Sequence, residues 1–165
     1  MGPLDELDPK YRAILCDIWG VVHDGGQLLP GVIERLLRWK GEGRHVLLLT
    51  NAPRSADVVQ LQLDRMGLPR SAYDRVASSG EAGIAALTHP PRPVGFLGTA
   101  DDRDDLMRRG VIIIDAHYAE LACTGLDEWR DDPEQYREQL AGLAGSGVVV
   151  HCINSDRMVL RSGVR

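Results

Sequence analysis

Short apolar runs alternate with amphipathic stretches along this chain, the pattern of an α/β domain on a mainly parallel sheet. The run AILCD, residues 13–17, predicts a first buried strand. After a loop punctuated by Gly and Pro, GVIERLLRWKGEG sets Val32, Ile33, Leu36, Leu37 and Trp39 near one helical face, and Gly41 and Gly43 end that helix. HVLLLT, residues 45–50, is continuously apolar before its Thr, as expected of a strand covered on both faces. SADVVQLQLDRMG predicts a helix from Ser55, a candidate N-cap, to Gly67. A third strand, RVASS, leads into a helix starting near Gly80.

The pattern breaks at THPPRP, residues 88–93, where three prolines in six residues cannot continue a helix. This stretch predicts a linker, with a first domain over residues 1–86 and a second over 87–165. Beyond it come the apolar VGFLG, a helix around DDLMRRG, a strand in VIIID and a weaker pattern in YAELACTGL. A helix from Pro133 to about Leu143 and a last strand, GVVVHCI, follow. The final twelve residues, NSDRMVLRSGVR, add no closing element, and no repeat or low-complexity tract interrupts the series.

At 165 residues the chain suits one ordinary domain, or a small domain plus part of another. With 44% hydrophobic and 26% charged residues the composition is globular rather than disordered. A net charge of −5 without any basic run argues against nucleic-acid binding, although a helix N-terminus can still take a small anion. Of the 19 basic residues only Lys10 and Lys40 are lysines. Cys16, Cys123 and Cys152 are odd in number and lack CxxC spacing, which favours reduced thiols and a cytoplasmic protein. No signal peptide or membrane span is expected, since no apolar run approaches the roughly 18 residues needed. The Met-Gly start lacks the Ser or Thr of a myristoylation signal, having Glu6 instead.

In open parallel sheets, ligands sit beyond the carboxyl ends of the strands. Asp17 and Thr50 both occupy such ends, one strand-helix unit apart, so they would approach the same pocket. Asp17 has the position of a carboxylate nucleophile toward phosphorus, or of a plain turn residue. Thr50 and Asn51 are candidates to hydrogen-bond phosphoryl oxygens, or to start the next turn. A carboxylate with a backbone carbonyl of the first loop would suit Mg²⁺. No GxGxxG follows the first strand, which disfavours a dinucleotide-binding oxidoreductase.

Four blocks in order, DIWGVVHDGGQLLPG, VLLLTNAPR, SSGEA and INSD, resemble the class IIA branch of the haloacid dehalogenase (HAD) superfamily, whose members are mostly phosphatases. The resemblance runs from about Ala13 to Asp156. It implies the N-terminal part of a HAD-type Rossmann-like core followed by an α/β cap. It also implies Mg²⁺-dependent hydrolysis of a small phosphorylated metabolite through a phospho-aspartate on Asp17. Thr50 would steady the phosphoryl group, with Asn51, Gly20 and Asp24 on the substrate or phosphate. Asp17 and the Trp19 backbone carbonyl would hold the metal.

The sequence departs from that family at two places. Trp19 stands where the family has an acid/base Asp, and loss of such a group costs about 10²–10⁴ in rate. The backbone carbonyl survives, so Trp19 threatens leaving-group protonation more than metal binding. The family's third motif, a Lys or Arg, and its fourth, a strand ending in Gly-Asp, both follow the cap, and the sequence stops after INSD before either. The resemblance therefore implies truncation, and an unpaired sheet edge that invites self-association or a missing C-terminal half. The competing function is a catalytically impaired or inactive fragment that binds a ligand or a protein.

Several residues keep two readings. Trp19 packs against the cap or stacks on substrate, and His23 is a replacement proton donor or an exposed loop imidazole. Asp24 lies beside substrate or shapes its loop, and Asp156 orients the cap or lies on the surface. VGFLGTADDRDD imitates the fourth motif, but acids at a helix start also serve the helix dipole. The scattered histidines do not suggest a zinc site with Cys123 or Cys152.

Overall fold

A computed structural model describes residues 7–130 and 132–156. Its contacts divide into two compact units, Met1–Thr50 with Asp57–Ala77, and Asn51–Ala56 with Ser78–Arg165. The expected mixed α/β fold with parallel sheets is present.

In the first unit, β1 (Ala13–Asp17), β2 (His45–Thr50) and β3 (Arg75–Ser78) form a three-stranded sheet in that order. β1 and β2 run parallel, with Ala13 opposite His45 and Asp17 opposite Leu49. Helix α1 (Val32–Gly41) buries Val32, Leu36 and Trp39 of the expected face, while Ile33 is half-buried and Leu37 is exposed. Helix α2 (Ala56–Arg65) buries Val59 and Leu63. Val46, Leu48, Leu36 and Leu63 are sealed from solvent, which is the main apolar gain of this unit. β1 lies at the sheet's edge, and Leu15 in its middle is 67% exposed.

In the second unit the sheet order is β5 (Ile112–Ile113), β4 (Pro93–Leu97), β6 (Glu120–Cys123) and β7 (Val149–Cys152), parallel throughout. Successive residues of a strand face opposite sides. Ala122 accordingly packs with Val94, Leu106, Val111 and Ile153, while Leu121 packs with Leu97 and Tyr136. Helix α3 (Ser79–Thr88) brings Ile84 and Leu87 to the first of those clusters, and α4 (Ala100–Arg108) brings Leu106.

Three elements differ from expectation in extent. VIIID yields only the two residues of β5, which pair with Pro93 and Val94 at the sheet's edge, with Ile114 N–H still donating to Val94 O at 2.9 Å. The helix expected from Pro133 opens as a 3-10 turn (Pro133–Tyr136) capped by the Asp132 carboxylate, then continues as α5 (Arg137–Gly145). Ser55, the candidate N-cap of α2, donates both its N–H and its hydroxyl to the buried Asp105 carboxylate, at 2.7 and 3.1 Å. The expected lack of a closing element at the C-terminus falls mostly on residues 157–165, outside the described residues. Among those described, no helix is long and apolar enough to cross a membrane.

Candidate active site

The parallel register of β1 and β2 puts Asp17 and Thr50 at the carboxyl ends of neighbouring strands. The ladder continues one residue past Asp17, where Ile18 N–H donates to Leu49 O at 3.0 Å. The same N–H lies 2.8 Å from Asp17 Oδ1, which fixes the rotation of the exposed carboxylate. Buried Ile18 and Val22 anchor the loop that follows.

That loop is held by its own backbone. Ile18 O accepts from Val22 N–H at 2.8 Å and His23 N–H at 3.2 Å, and Gly20 N–H donates to His23 O at 2.7 Å. Gly20 has φ of 76°, a left-handed conformation that costs a side-chain-bearing residue about 1–2 kcal/mol. Its amide is thus committed within the loop. Asp24 Oδ1 accepts from Gly26 N–H and Gln27 N–H, both at 2.9 Å, an Asx turn that also holds the carboxyl below its usual range. These two bonds are the loop-shaping contacts of Asp24, and its other oxygen takes no part in them.

His23 is not the exposed imidazole that one reading described, being 4% exposed. Its Nδ1 accepts from Gly25 N–H at 2.9 Å, which leaves the proton of the neutral ring on Nε2. Burial pushes its pKa down, against a smaller upward pull from Asp24. Trp19 is half exposed, and a Cβ on Gly25 would lie 3.7 Å from its Nε1, so the indole rests on its own loop.

The two lysines are engaged elsewhere in the first unit. Lys40 pairs with Asp74, whose other oxygen accepts from Val46 N–H at 2.7 Å, near the amino end of β2 and away from Thr50. Lys10 pairs with Asp8 at 3.0 Å.

The second unit holds the segment that follows Thr50. Asn51 Nδ2 donates to Asp156 Oδ1 at 2.9 Å, joining two of the sequence blocks across 105 positions. Asp156 is therefore an anchor for Asn51, a role that the sequence did not assign. The SSGEA block holds the same segment. Ser78 Oγ donates to Arg54 O at 2.7 Å, Gly80 N–H donates to Ala52 O at 3.1 Å, and Glu81 accepts from Ala56 N–H at 3.1 Å. A Cβ at Gly80 would fall 2.2 Å from Arg54 O, so only glycine fits. Sequence reasoning flagged this block only as a resemblance; its Ser-x-x-Glu spacing, a helix-start signature, was the usable signal.

The acids of TADDRDD are absorbed structurally. Thr99 Oγ1 caps α4 at Asp102 N–H, Asp102 faces Arg54 at 3.4 Å, and Asp105 holds Ser55. Among the described residues no group of three or more His, Cys, Asp or Glu is placed to hold a metal ion.

Residues 14–112 match the family described as haloacid dehalogenase-like hydrolase. A haloacid dehalogenase-like hydrolase from Brucella suis 1330 superposes with a TM-score of 0.86 at 34% identity, over 96% of this chain and 59% of that one. The 4-nitrophenylphosphatase of Thermotoga maritima superposes at TM-score 0.68 and 20% identity, over 90% of this chain and 56% of that one. For the glycerol phosphate phosphatase of Mycobacterium tuberculosis, solved with magnesium, the values are 0.66 and 22%, over 93% and 47%. The last two likenesses concern the fold. The chain spans 47–59% of the length of these three proteins. No curated protein matches it.

Proposed function

The chain belongs to the haloacid dehalogenase-like hydrolases, and from that premise we propose that it carries the nucleophile half of a Mg²⁺-dependent phosphate-monoester hydrolase. The observation that carries this reading is the β1–β2 register, which brings Asp17 and Thr50 to adjacent strand ends. Residues 1–86 act as the N-terminal part of the core, and residues 87–165 as the cap.

The Asp17 carboxylate, oriented by Ile18 N–H, attacks the phosphorus of a small phosphorylated metabolite through Oδ2. An Asp17 O–P bond forms as the ester P–O bond breaks, and the leaving alkoxide takes a proton from solvent water, since Trp19 offers none. Water then attacks the same phosphorus, phosphate leaves, and the carboxylate is restored. The Thr50 hydroxyl donates to a phosphoryl oxygen. Gly20 and Asp24 give the loop its shape, and Asn51 fixes the segment beyond Thr50 through Asp156.

Magnesium prefers oxygen donors and is bound by one or two carboxylates together with phosphate and water. The Asp17 carboxylate and the Trp19 carbonyl fit that donor chemistry, and they are the groups that would hold it. When bound, the ion neutralises charge on the phosphoryl oxygens. The edge position of β1, with Leu15 bare, supports completion of the sheet by self-association or by a C-terminal half.

The test is Mg²⁺-dependent release of 4-nitrophenol from 4-nitrophenyl phosphate, with Asp17→Asn as control. Activity present in the native chain and lost in the variant is expected. Equal rates in the two proteins contradict the reading. Trp19→Asp restores an acid at the proton-handling position and is expected to raise the rate by about 10²–10⁴.

One observation favours a second reading, a non-catalytic ligand-binding module. The first loop's acid/base position is an indole, which holds no transferable proton, and His23 beside it is buried and neutral. On this reading phosphate binds without turnover, and Asp17→Asn leaves hydrolysis at the same background.

A further inference from the structure

Cys123 and Cys152 end the parallel strands β6 and β7 and are register partners. Side chains at partnered positions of a sheet project to the same face. Neighbouring strands lie about 4.8 Å apart, inside the Cα separation of roughly 4.4–6.8 Å that a disulfide spans. Ile153 N–H donates to Cys123 O at 2.8 Å, which holds the two strand ends together one residue beyond the pair. Both cysteines are free thiols; Cys152 is exposed, Cys123 is half-buried, and Cys16 is buried in the other unit. Cys152 Sγ lies 2.9 Å from Asn154 O, to which it donates. Nothing in the proposed hydrolytic site uses either sulfur.

We propose that Cys123 and Cys152 are a reversible dithiol–disulfide pair that takes the disulfide of a small thiol, such as oxidised glutathione, as its oxidant. Exposed Cys152 reacts first. Its thiolate attacks one sulfur of the glutathione disulfide, that S–S bond breaks, and one glutathione leaves. The Cys123 thiolate then attacks the Cys152 sulfur and releases the second glutathione. Two protein thiols are oxidised, one glutathione disulfide is reduced to two thiols, and the two protons end on glutathione. Burial pushes the Cys123 thiol up, a bond from Gly125 N–H opposes that, and neighbouring Cys152 adds a smaller rise. The second step is therefore slow at neutral pH and quickens as pH rises. The bridge would tie the strand ends from which the segment carrying Asp156, the anchor of Asn51, departs.

The experiment treats the purified chain with oxidised glutathione, blocks remaining thiols with N-ethylmaleimide, and maps tryptic peptides by mass spectrometry. The expected product is the peptide of residues 110–130 joined to that of residues 138–157, with Cys16 alkylated. Its yield is expected to be independent of protein concentration and reversed by dithiothreitol. In Cys123→Ser, glutathione is expected to remain on Cys152. A native chain that keeps glutathione on Cys152 without forming the joined peptide overturns the proposal. So does a joined peptide whose yield climbs with protein concentration, which marks a bond between two molecules.

Discussion

The two sheets are built from the same kind of strand but differ in what surrounds them. In the second, β4 and β6 are interior strands, and Val94, Leu121 and Ala122 are sealed on both faces. In the first, β1 is equally apolar in sequence yet sits at an edge with Leu15 67% exposed. A strand covered on both faces and paired on both edges is the usual state in parallel sheets. The strand that carries Asp17 is thus an edge strand, like β5 and β7 of the second sheet, where Ile112, Val149 and Val150 are also exposed, and the proposed nucleophile sits on a strand paired along one side.

Truncating the two strands tests this contrast with the largest expected effect. Leu121→Ala leaves a cavity in a closed core and is expected to cost about 2–5 kcal/mol. Leu15→Ala is expected to stay within about 0.5 kcal/mol. Urea denaturation of both variants measures the gap. A cost for Leu15→Ala that rivals that of Leu121→Ala would mean that β1 is covered in solution, and would favour self-association.

Next in size is Gly80→Ala. Its Cβ would meet the Arg54 backbone at 2.2 Å, and neither partner is a flexible side-chain end. The expected cost is about 1–3 kcal/mol, with faster amide exchange at Ala56 as the local readout. A neutral effect would show that residues 52–56 are not held by the SSGEA block.

The smallest effect separates the units by pH. Burial lowers the pKa of His23 from 6.5, so the unfolded chain takes that proton first. The stability tied to neutral His23 is full above pH 6.5 and falls as pH drops below it. His23→Asn is expected to flatten that slope. In the second unit, Arg92 and then His151 hold Glu120 below its ordinary 4.5. Its contribution is present above pH 4.5 and lost only as pH falls through the lowered value. Stability followed from pH 8 to pH 3 therefore has an upper step that His23→Asn removes and a lower, acid step that Glu120→Gln reduces but does not abolish, since Asp24, Asp74 and Asp127 are also held below their ordinary values.

Much of the fold was legible because short apolar runs mark strands, although the burial expected of β1 is only partial, with Leu15 exposed, and β7 is exposed along most of its length. β1, β2 and β7 lie within AILCD, HVLLLT and GVVVHCI, and β6 within the weaker pattern YAELACTGL. VIIID was over-read because an apolar run does not say how many of its residues pair; β5 is an edge strand of two residues, and Ile112 is exposed. Ser55 pointed to a helix start, but nothing in its neighbourhood foretold that its N–H and hydroxyl would both donate to Asp105, 50 positions away. The strand-end positions of Asp17 and Thr50 followed from spacing alone. The Asn51–Asp156 bond did not, since its partners lie 105 positions apart, and neither did the burial of His23.

The central claim is that Asp17 receives the phosphoryl group. The most direct measurement quenches the chain, Mg²⁺ and 4-nitrophenyl phosphate into hydroxylamine, which converts an acyl phosphate to a hydroxamate, and locates the modified residue by peptide mass spectrometry. The account predicts a hydroxamate on Asp17 that needs both substrate and Mg²⁺. Hydrolysis with Asp17 unmodified, or with the label on another carboxylate, contradicts it.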